Sequence, residues 1–229
     1  MAKTPKKPGS RGLHTRVKTA RGRKTSSTRW LQRQLNDPYV QAAKREGYNS
    51  RAAYKLIEMN EKLGILKPGV HVVDLGAAPG GWMQVAAQLT KAESSGSIIV
   101  GMDLIDISAP PHTQFLQGDF SHDDAPERLK EALGVEKVDV VLSDMAPNTS
   151  GHAPTDHLRI MMLCELAYHF SLEMLKPGGT FLAKTRQGGT EAGLLEQMKQ
   201  NFTAVKHLKP KASRAGSAEV YVAATGFKG

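Results

Sequence analysis

The chain has 229 residues, of which 40% are hydrophobic, so it contains enough apolar material for the core of one domain of ordinary size. No run of eighteen apolar residues occurs, which excludes a transmembrane helix. The single cysteine, Cys164, excludes an internal disulfide framework and a multi-cysteine zinc site, and it favours a reducing compartment such as the cytoplasm.

The net charge of +9 is concentrated at the start of the chain. Residues 1–35 hold eleven Lys or Arg and no Asp or Glu, whereas the remaining 194 residues carry 20 basic and 22 acidic side chains. Residues 1–28 have few sizeable apolar side chains, so we expect a disordered tail there and a single domain over residues 29–229. Three interpretations of the tail stay open: RNA binding through counterion release, targeting, and simple solubilisation.

Helical and strand patterns alternate from about residue 30 onward. Residues 49–63 predict a helix, with Ser50 as its N-cap and Gly64 after its end. Strand patterns occupy residues 70–75, 98–104, 113–116, 138–142, 180–183, 203–208 and 220–224, and helical patterns occupy 82–90, 125–133, 156–175 and 191–202. Several strands are continuously apolar, which is typical of a parallel sheet buried on both faces. The alternation therefore predicts a doubly wound α/β fold.

A glycine-rich segment connects the first predicted strand to the following helix. Residues 74–82 read DLGAAPGGW, which is neither the dinucleotide fingerprint nor the lysine-containing phosphate loop. Small residues let backbone N–H groups approach a ligand at the carboxyl ends of the strands. The preceding acid, Asp74, favours a cationic ligand without phosphate.

Acids also follow the next two predicted strands. Asp103 ends the second strand, where a carboxylate can accept hydrogen bonds from a ribose diol. Asp119 follows the third strand and is placed to reach an adenine amine. A lone Asp at such a position is often only a helix cap, but acids at three successive strand ends together indicate a nucleoside-bearing ligand.

Four segments are specific enough to suggest a family: VVDLGAAPGGW, FLQGDF, VLSDMAPNTSG and EVYVAATG. From about residue 27 to 227 the chain resembles the FtsJ/RrmJ-type ribosomal RNA methyltransferases, in particular the bacterial members that methylate a uridine 2′-hydroxyl of large-subunit (23S) ribosomal RNA. The resemblance implies a class I, Rossmann-like fold with a seven-stranded, mostly parallel sheet whose last strand is antiparallel. It further implies S-adenosyl-L-methionine as cofactor and ribosomal RNA, in the context of the assembling large ribosomal subunit, as partner.

The resemblance also implies the site residues. The family's Lys-Asp-Lys-Glu catalytic tetrad corresponds to Lys55, Asp144, Lys184 and Glu219. The family's cofactor contacts correspond to Gly80, Trp82, Asp103, Asp119 and Asp144, with Gly76 as a further loop contact.

A ribose hydroxyl becomes a competent nucleophile when its proton leaves, so a base is needed near the methyl group. We expect Lys184 to be that base, since a second cation nearby favours loss of a proton from a lysine. Lys55 would tune Lys184 and orient the RNA, and the two carboxylates would hold the lysines in place.

Two places depart from the family's usual pattern. Arg186 stands where an aromatic residue is usual, and residues 213–218 contain fewer arginines than usual. The tetrad is unaffected, so we expect the differences to change only RNA contacts.

The histidines and the cysteine near residues 152–170 fit no zinc spacing, and we expect no metal. Leu158, Met162, Leu166 and Phe170 recur at helical spacing and are expected to pack in the core. Trp30 and Tyr39, among nearby arginines and lysines, would either clamp RNA or anchor the amino-terminal segment.

Two other functions stay open at this stage. The first is 2′-O-methylation of another RNA, such as a transfer RNA or a messenger cap. The second is a non-catalytic, RNA-binding ribosome assembly factor, which the intact tetrad disfavours. Nothing in the sequence demands more than a monomer.

Overall fold

The computed structural model describes residues 25–147, 150–188, 192–214 and 216–229, without the side chains of residues 25, 26, 29 and 30. The predicted disordered tail comprises residues 1–28, and its first 24 residues lie outside the described part of the chain. Helix α1 begins at Thr25, so it includes the last four residues of that predicted tail. The side chain of Trp30 also lies outside the described residues.

One seven-stranded sheet organises the described part of the chain. Its strands are β1 Val72–Leu75, β2 Ile99–Asp103, β3 Gln114–Gln117, β4 Val138–Ser143, β5 Leu175–Arg186, β6 Phe202–Leu208 and β7 Glu219–Phe227. The spatial order is β3-β2-β1-β4-β5-β7-β6, and β7 runs antiparallel to both of its neighbours. The predicted α/β class, with an antiparallel last strand, is confirmed.

Helices cover both faces of the sheet. They are α1 Thr25–Leu35, α2 Pro38–Glu46, α3 Ala53–Leu63, α4 Gly81–Thr90, α5 Ala92–Ser95, α6 Ala125–Leu133, α7 Ala153–Met174 and α8 Ala192–Asn201. The sequence analysis did not predict α1, α2 or the short α5. The start and stop signals of α2 were nevertheless present, because the Asp37 carboxylate accepts from two backbone N–H groups and Gly47 ends the helix in a left-handed conformation.

The predicted N-cap of the third helix is wrong. Helix α3 begins at Ala53, and its cap position is Ala52, which provides no side-chain hydrogen bond. The Ser50 hydroxyl is instead buried, and it has no hydrogen-bond partner among the described residues. A Cβ atom on Gly81 would lie 2.6 Å from this hydroxyl oxygen, so Ser50 packs closely against the start of α4.

Residues 175–178 read Leu-Lys-Pro-Gly, a sequence typical of a turn, but they lie at the start of strand β5. Val138 of β4 pairs with Leu175 of β5, and Val140 pairs with Thr180, so β5 advances five residues while β4 advances two. The turn is therefore accommodated as an irregularity at the start of β5.

Two apolar layers pack on opposite faces of the sheet, one with α6, α7 and α8 and the other with α2, α3 and α4. The predicted core face of α7 is only partly correct. Phe170 is 4% exposed, but Leu158 and Met162 are 61% and 58% exposed, and Leu166 is 37% exposed. The four residues share one face of α7 as predicted, but only its last member, Phe170, packs in the core. The first three, Leu158, Met162 and Leu166, are exposed to solvent. Within the described residues, no helix is both long and apolar enough to cross a membrane.

Candidate active site

The carboxyl ends of the central strands meet at one edge of the sheet. The backbone N–H of Asp144 donates to the Leu75 carbonyl across 2.9 Å, joining the ends of β4 and β1. Gly118 N–H donates to the Asp103 carbonyl across 2.9 Å, joining the ends of β3 and β2. Asp103, Asp119 and Asp144 therefore occupy one edge, as expected for a ligand site in an open α/β sheet.

The four tetrad side chains converge at this edge. Lys55 Nζ lies 2.8 Å from Glu219 Oε1, and Lys184 Nζ lies 2.8 Å from Asp144 Oδ1. Contacts of 3.9 Å join Lys55 to Asp144 and Lys184 to Glu219. The four side chains are between 10% and 18% exposed, so this balanced set of two cations and two anions is nearly enclosed but still accessible. Lys184 is fixed further by donating to the Asp144 backbone carbonyl across 2.7 Å.

Strand pairing explains why β5 and β7 contribute to the same cluster. Lys184 lies opposite Tyr221 in the antiparallel register, and Arg186 lies opposite Glu219. Residues two apart on a strand share a face, so Lys184, Arg186, Glu219 and Tyr221 belong to one face of the sheet. Arg186 is half-buried there, and its contact with RNA stays a prediction.

Tyr221 is a member of this cluster that the sequence analysis missed. Its hydroxyl donates to Asp144 Oδ1 across 2.6 Å and accepts from Lys55 Nζ across 3.1 Å. The residue is fully buried, and its ring lies 5.7 Å from the Trp82 ring, centroid to centroid. The available signal was its spacing, since Tyr221 follows Glu219 by two positions on an apolar strand.

Burial and charge act in opposite directions on Asp144. Burial is the largest influence and raises the pKa of this carboxyl, but the charges of Lys184 and Lys55 and the hydrogen bonds it accepts together bring the pKa below its ordinary value. These hydrogen bonds come from Lys184 and Tyr221. Burial, with the negative charge of Asp144, raises the pKa of Tyr221 well above its ordinary value, so the phenol keeps the proton that it donates.

The glycine loop brings its backbone very close to the start of the loop after β4. Gly76 has a φ of +78°, and a Cβ atom there would lie 2.7 Å from the backbone nitrogen of Met145. Gly80 has a φ of +96° and precedes α4. Both positions require glycine, because the left-handed φ and the close neighbouring atoms leave little place for a side chain.

Asp74 contributes an unusual buried carboxyl beside this loop. It is fully buried, and neither oxygen has a hydrogen-bond partner among the described residues. Burial, followed by the charges of Asp144 and Asp103, raises its pKa well above the ordinary value. A buried charged group without a partner is costly, and the raised pKa of Asp74 favours the neutral acid instead.

The other predicted cofactor residues have structural contacts of their own. The Asp103 carboxylate accepts from the backbone N–H groups of Ala78 and Ile105, both across 2.9 Å, and so joins the glycine loop to the end of β2. Asp119 accepts from Ser121, whose hydrogen bonds lower its pKa. The Trp82 indole is 3% exposed and donates to the Ala52 carbonyl across 2.8 Å. Trp82 thus joins α4 to the start of α3, and its ring packs against Tyr221, which contacts the tetrad.

Ser213 is a second residue that the sequence analysis did not assign to the site. Its hydroxyl donates to Glu219 Oε1 across 2.8 Å. The neighbouring Ala212 is held on both sides of its backbone, because its N–H donates to Glu58 across 3.1 Å and its carbonyl accepts from Arg51 across 2.7 Å. The β6–β7 loop is therefore attached to α3, and through Ser213 it positions the tetrad glutamate.

Tyr39 takes part in the same attachment. Its hydroxyl donates to Glu58 across 3.0 Å, and the Arg51 guanidinium carbon lies 5.7 Å from the centre of its ring. Burial, followed by the hydrogen bond with Glu58, raises the pKa of Tyr39 to about 12. These contacts favour the anchoring interpretation of Tyr39.

The fold and this site define a class I methyltransferase: a doubly wound sheet with an antiparallel seventh strand and a ligand loop after its first strand. The sequence model of the FtsJ-like methyltransferase family matches residues 48–227. The chain therefore belongs to the FtsJ-like methyltransferase family, and the predicted family and enzyme class are confirmed.

Relatives extend along almost the whole chain. The chain is 63% identical over 223 residues to the ribosomal RNA large subunit methyltransferase E of Paramagnetospirillum magneticum, covering 96% of this chain and 91% of the relative. It is 58% identical over 228 residues to the protein of the same name from Parvibaculum lavamentivorans, covering 96% and 89%.

Solved structures agree with the fold. A Plasmodium falciparum protein, provisionally described as a ribosomal RNA methyltransferase, matches with a TM-score of 0.70 and 32% identity over 80% of this chain and 100% of that one. A fibrillarin/Nop5p complex matches with a TM-score of 0.51 and 20% identity over 76% and 83%. The second likeness concerns the fold alone.

Among the described residues, no group of three or more His, Cys, Asp or Glu side chains could hold a metal ion. The prediction of a metal-free enzyme is not tested by that finding and stays a prediction.

Proposed function

We propose that this chain methylates the 2′-hydroxyl of a uridine ribose in 23S ribosomal RNA, on the assembling large subunit in the cytoplasm, with S-adenosylmethionine as methyl donor. The observation that carries the proposal is the convergence of Lys55, Asp144, Lys184 and Glu219 beside the glycine loop. The names of the relatives support ribosomal RNA rather than transfer RNA or a messenger cap.

The residues at the strand ends fit this cofactor. Gly76 and Gly80 let the loop backbone lie close against the strand ends, and the buried Asp74 carboxyl has no hydrogen-bond partner among the described residues. Asp103 and Asp119 would hold the ribose and the adenine, and Asp144 lies between the cofactor loop and the tetrad lysines. Several carboxylates favour a cationic ligand over a phosphate. When bound, S-adenosylmethionine supplies an electrophilic methyl group on a sulfonium.

The tetrad would prepare the ribose hydroxyl. Lys184, held by two contacts with Asp144, would first release its own proton to solvent and then take the 2′-hydroxyl proton as a neutral amine. Lys55, held by Glu219 and Tyr221, supplies positive charge beside the developing oxyanion. The fixed positions of both lysines also align the reacting oxygen, and alignment alone can be worth several kcal/mol.

The test compares methyl transfer from labelled S-adenosylmethionine to purified large subunits, free 23S RNA and transfer RNA. The acceptors come from cells lacking this activity, so that their sites are unmodified. We expect label in large-subunit RNA, recovered as 2′-O-methyluridine after digestion. Labelling of transfer RNA alone would contradict the substrate assignment, and labelling of a base would contradict the reaction.

Single-turnover kinetics test the role of Lys184. We expect Lys184→Ala to lower the rate with bound RNA by about 100-fold or more, within the usual contribution of a general base. Lys67→Ala, which removes an exposed lysine before β1, is the matched control. A near-normal single-turnover rate for Lys184→Ala would remove the base assignment.

A further inference from the structure

A cavity lies between the amino-terminal helices and the β6–β7 loop. Its volume is about 680 Å³, and its lining includes the cations Arg33, Arg51, Lys211 and Arg214. Among the described residues that line it, Asp37 provides the one carboxylate. Four cations against one anion make the cavity strongly positive, although the residues after position 35 are nearly neutral as a whole.

The cations of this cavity fall into two groups. Arg51 builds the wall: its side chain is 17% exposed, its Nε lies 3.0 Å from Asp37 Oδ2, and it donates to the Ala212 carbonyl. Arg33, Lys211 and Arg214 are exposed. Arg214 is only loosely paired, since its Nε lies 4.0 Å from Asp37. Lys211 and Arg214 are the two exposed cations of the β6–β7 loop that line the cavity, and they can turn toward an anionic ligand at little cost.

The cavity and the tetrad share the β6–β7 loop. Lys211 and Arg214 flank Ala212, which is attached to α3, and Ser213, which holds Glu219. The Glu219 carboxylate in turn lies 2.8 Å from Lys55 Nζ. A ligand bound by Lys211 and Arg214 would therefore restrain the loop that positions Glu219 and, through it, Lys55.

We propose that this cavity binds the backbone phosphate of a nucleotide flanking the methylated one. This inference rests on the proposed function, because it needs an RNA whose target ribose already lies at the tetrad. Guanidinium and ammonium groups form charge-assisted hydrogen bonds with phosphate oxygens, which fix register rather than read sequence. The cavity volume suits a nucleotide, and its position beside the tetrad suits a neighbour in the same strand.

The test removes the two cavity-lining cations of the β6–β7 loop with the double variant Lys211→Gln/Arg214→Gln. The probe is a large-subunit RNA fragment that the parent enzyme methylates, with affinity measured by fluorescence anisotropy across a series of KCl concentrations. We expect affinity to fall about tenfold at moderate salt, and the slope of log affinity against log salt to flatten by about one to two. KM for the RNA should rise more than kcat falls.

The control is Lys62→Gln/Lys67→Gln, which removes the same charge from the end of α3 and the turn before β1. The charge-conserving variant Lys211→Arg/Arg214→Lys should keep the parental slope. Equal effects of the cavity and control variants on affinity and slope would overturn the inference. Unchanged binding of S-adenosylmethionine verifies that the variants are folded. The methylation of this RNA by the parent enzyme tests the proposed function separately, so failure of the cavity variants to weaken binding would contradict only the phosphate site.

Discussion

Tyr221 connects the two halves of the tetrad through one hydroxyl. It donates to Asp144 and accepts from Lys55, while its ring packs against Trp82. A phenol in this position fixes both charged groups without adding a charge of its own. Tyr221 is therefore a positioning residue, and its removal should change the ionisation of Asp144 as well as the rate.

We predict that Tyr221→Phe lowers kcat by about tenfold, since a buried group left without its partner costs about 1–3 kcal/mol. The hydrogen bond from Tyr221 lowers the pKa of Asp144, so its removal raises that pKa. The acid limb of the kcat profile should therefore move to higher pH.

Tyr48→Phe is the matched control, because it removes a hydroxyl that donates to Gln88 instead. An acid limb that stays in place in Tyr221→Phe would contradict the proposed role.

Asp74 gives a pH-dependent prediction for the cofactor-free protein. Its folded-state pKa is raised, so the unfolded chain releases the same proton at lower pH. The free energy of unfolding therefore falls as pH rises between the two pKa values, by about 1.4 kcal/mol for each unit of difference. Asp74→Asn removes this pH-dependent decrease in the free energy of unfolding, so the substitution should be more stabilising at pH 8 than at pH 4.

Urea unfolding at the two pH values measures the Asp74 effect. Asp106→Asn, at an exposed position, controls for the change in net charge. If the benefit of Asp74→Asn were equal at both pH values, the buried carboxyl would not be the cause.

At the scale of elements, the glycine loop depends on two separate constraints. Gly76 combines a left-handed φ with a backbone approach that no side chain can fit. Gly69 has a φ of +90°, but a Cβ atom placed on it would have nothing within 4 Å, so it carries the conformational constraint alone. Comparing the two separates backbone strain from the close approach that shapes the cofactor site.

We predict that Gly76→Ala abolishes binding of S-adenosylmethionine and destabilises the fold by more than Gly69→Ala, for which strain alone costs about 1 kcal/mol. Isothermal titration and thermal unfolding of both variants measure the two effects. Near-normal cofactor affinity in Gly76→Ala would contradict the placement of the ligand along this loop.

Helix α7 shows how exposure differs along one helical face. We predict that Met162→Gln changes the free energy of unfolding by no more than about 0.5 kcal/mol, because the residue is largely exposed. Phe170→Ala, two turns further along, should cost about 3–5 kcal/mol because it leaves a cavity in the core. Equal costs in urea unfolding would contradict the observed orientation of α7.

At the scale of the whole molecule, charge and chemistry are separated along the chain. The tetrad is balanced, with two cations and two anions, and the residues after position 35 are nearly neutral. Most of the excess positive charge precedes α1. We therefore expect long-range attraction to RNA to depend mainly on the amino-terminal segment and positioning of the RNA to depend on the domain.

We predict that deleting residues 1–24, which carry nine Lys or Arg, raises KM for RNA and flattens its salt dependence more than it lowers kcat. A Gly/Ser segment of equal length is the control for the loss of chain. An unchanged KM at physiological salt would leave the segment without a role in RNA binding.

Local sequence patterns were sufficient to predict the α/β class and most strands and helices, whereas the four tetrad positions came from the resemblance to a family. Apolar periodicity and short motifs are local properties, so they can be read without knowing what packs against them. The same reasoning failed for Ser50 and for the exposed face of α7, because a cap signal or an apolar stripe does not specify its partner.

The contacts that connect these local features came from the tertiary structure. Lys55 and Tyr221 are 166 positions apart, and Tyr221 and Asp144 are 77 apart, yet their side chains are hydrogen-bonded. The link from Arg51 through the β6–β7 loop to Glu219 likewise spans the chain. Such contacts depend on the order of strands in the sheet and on side-chain geometry, which no short segment of sequence contains.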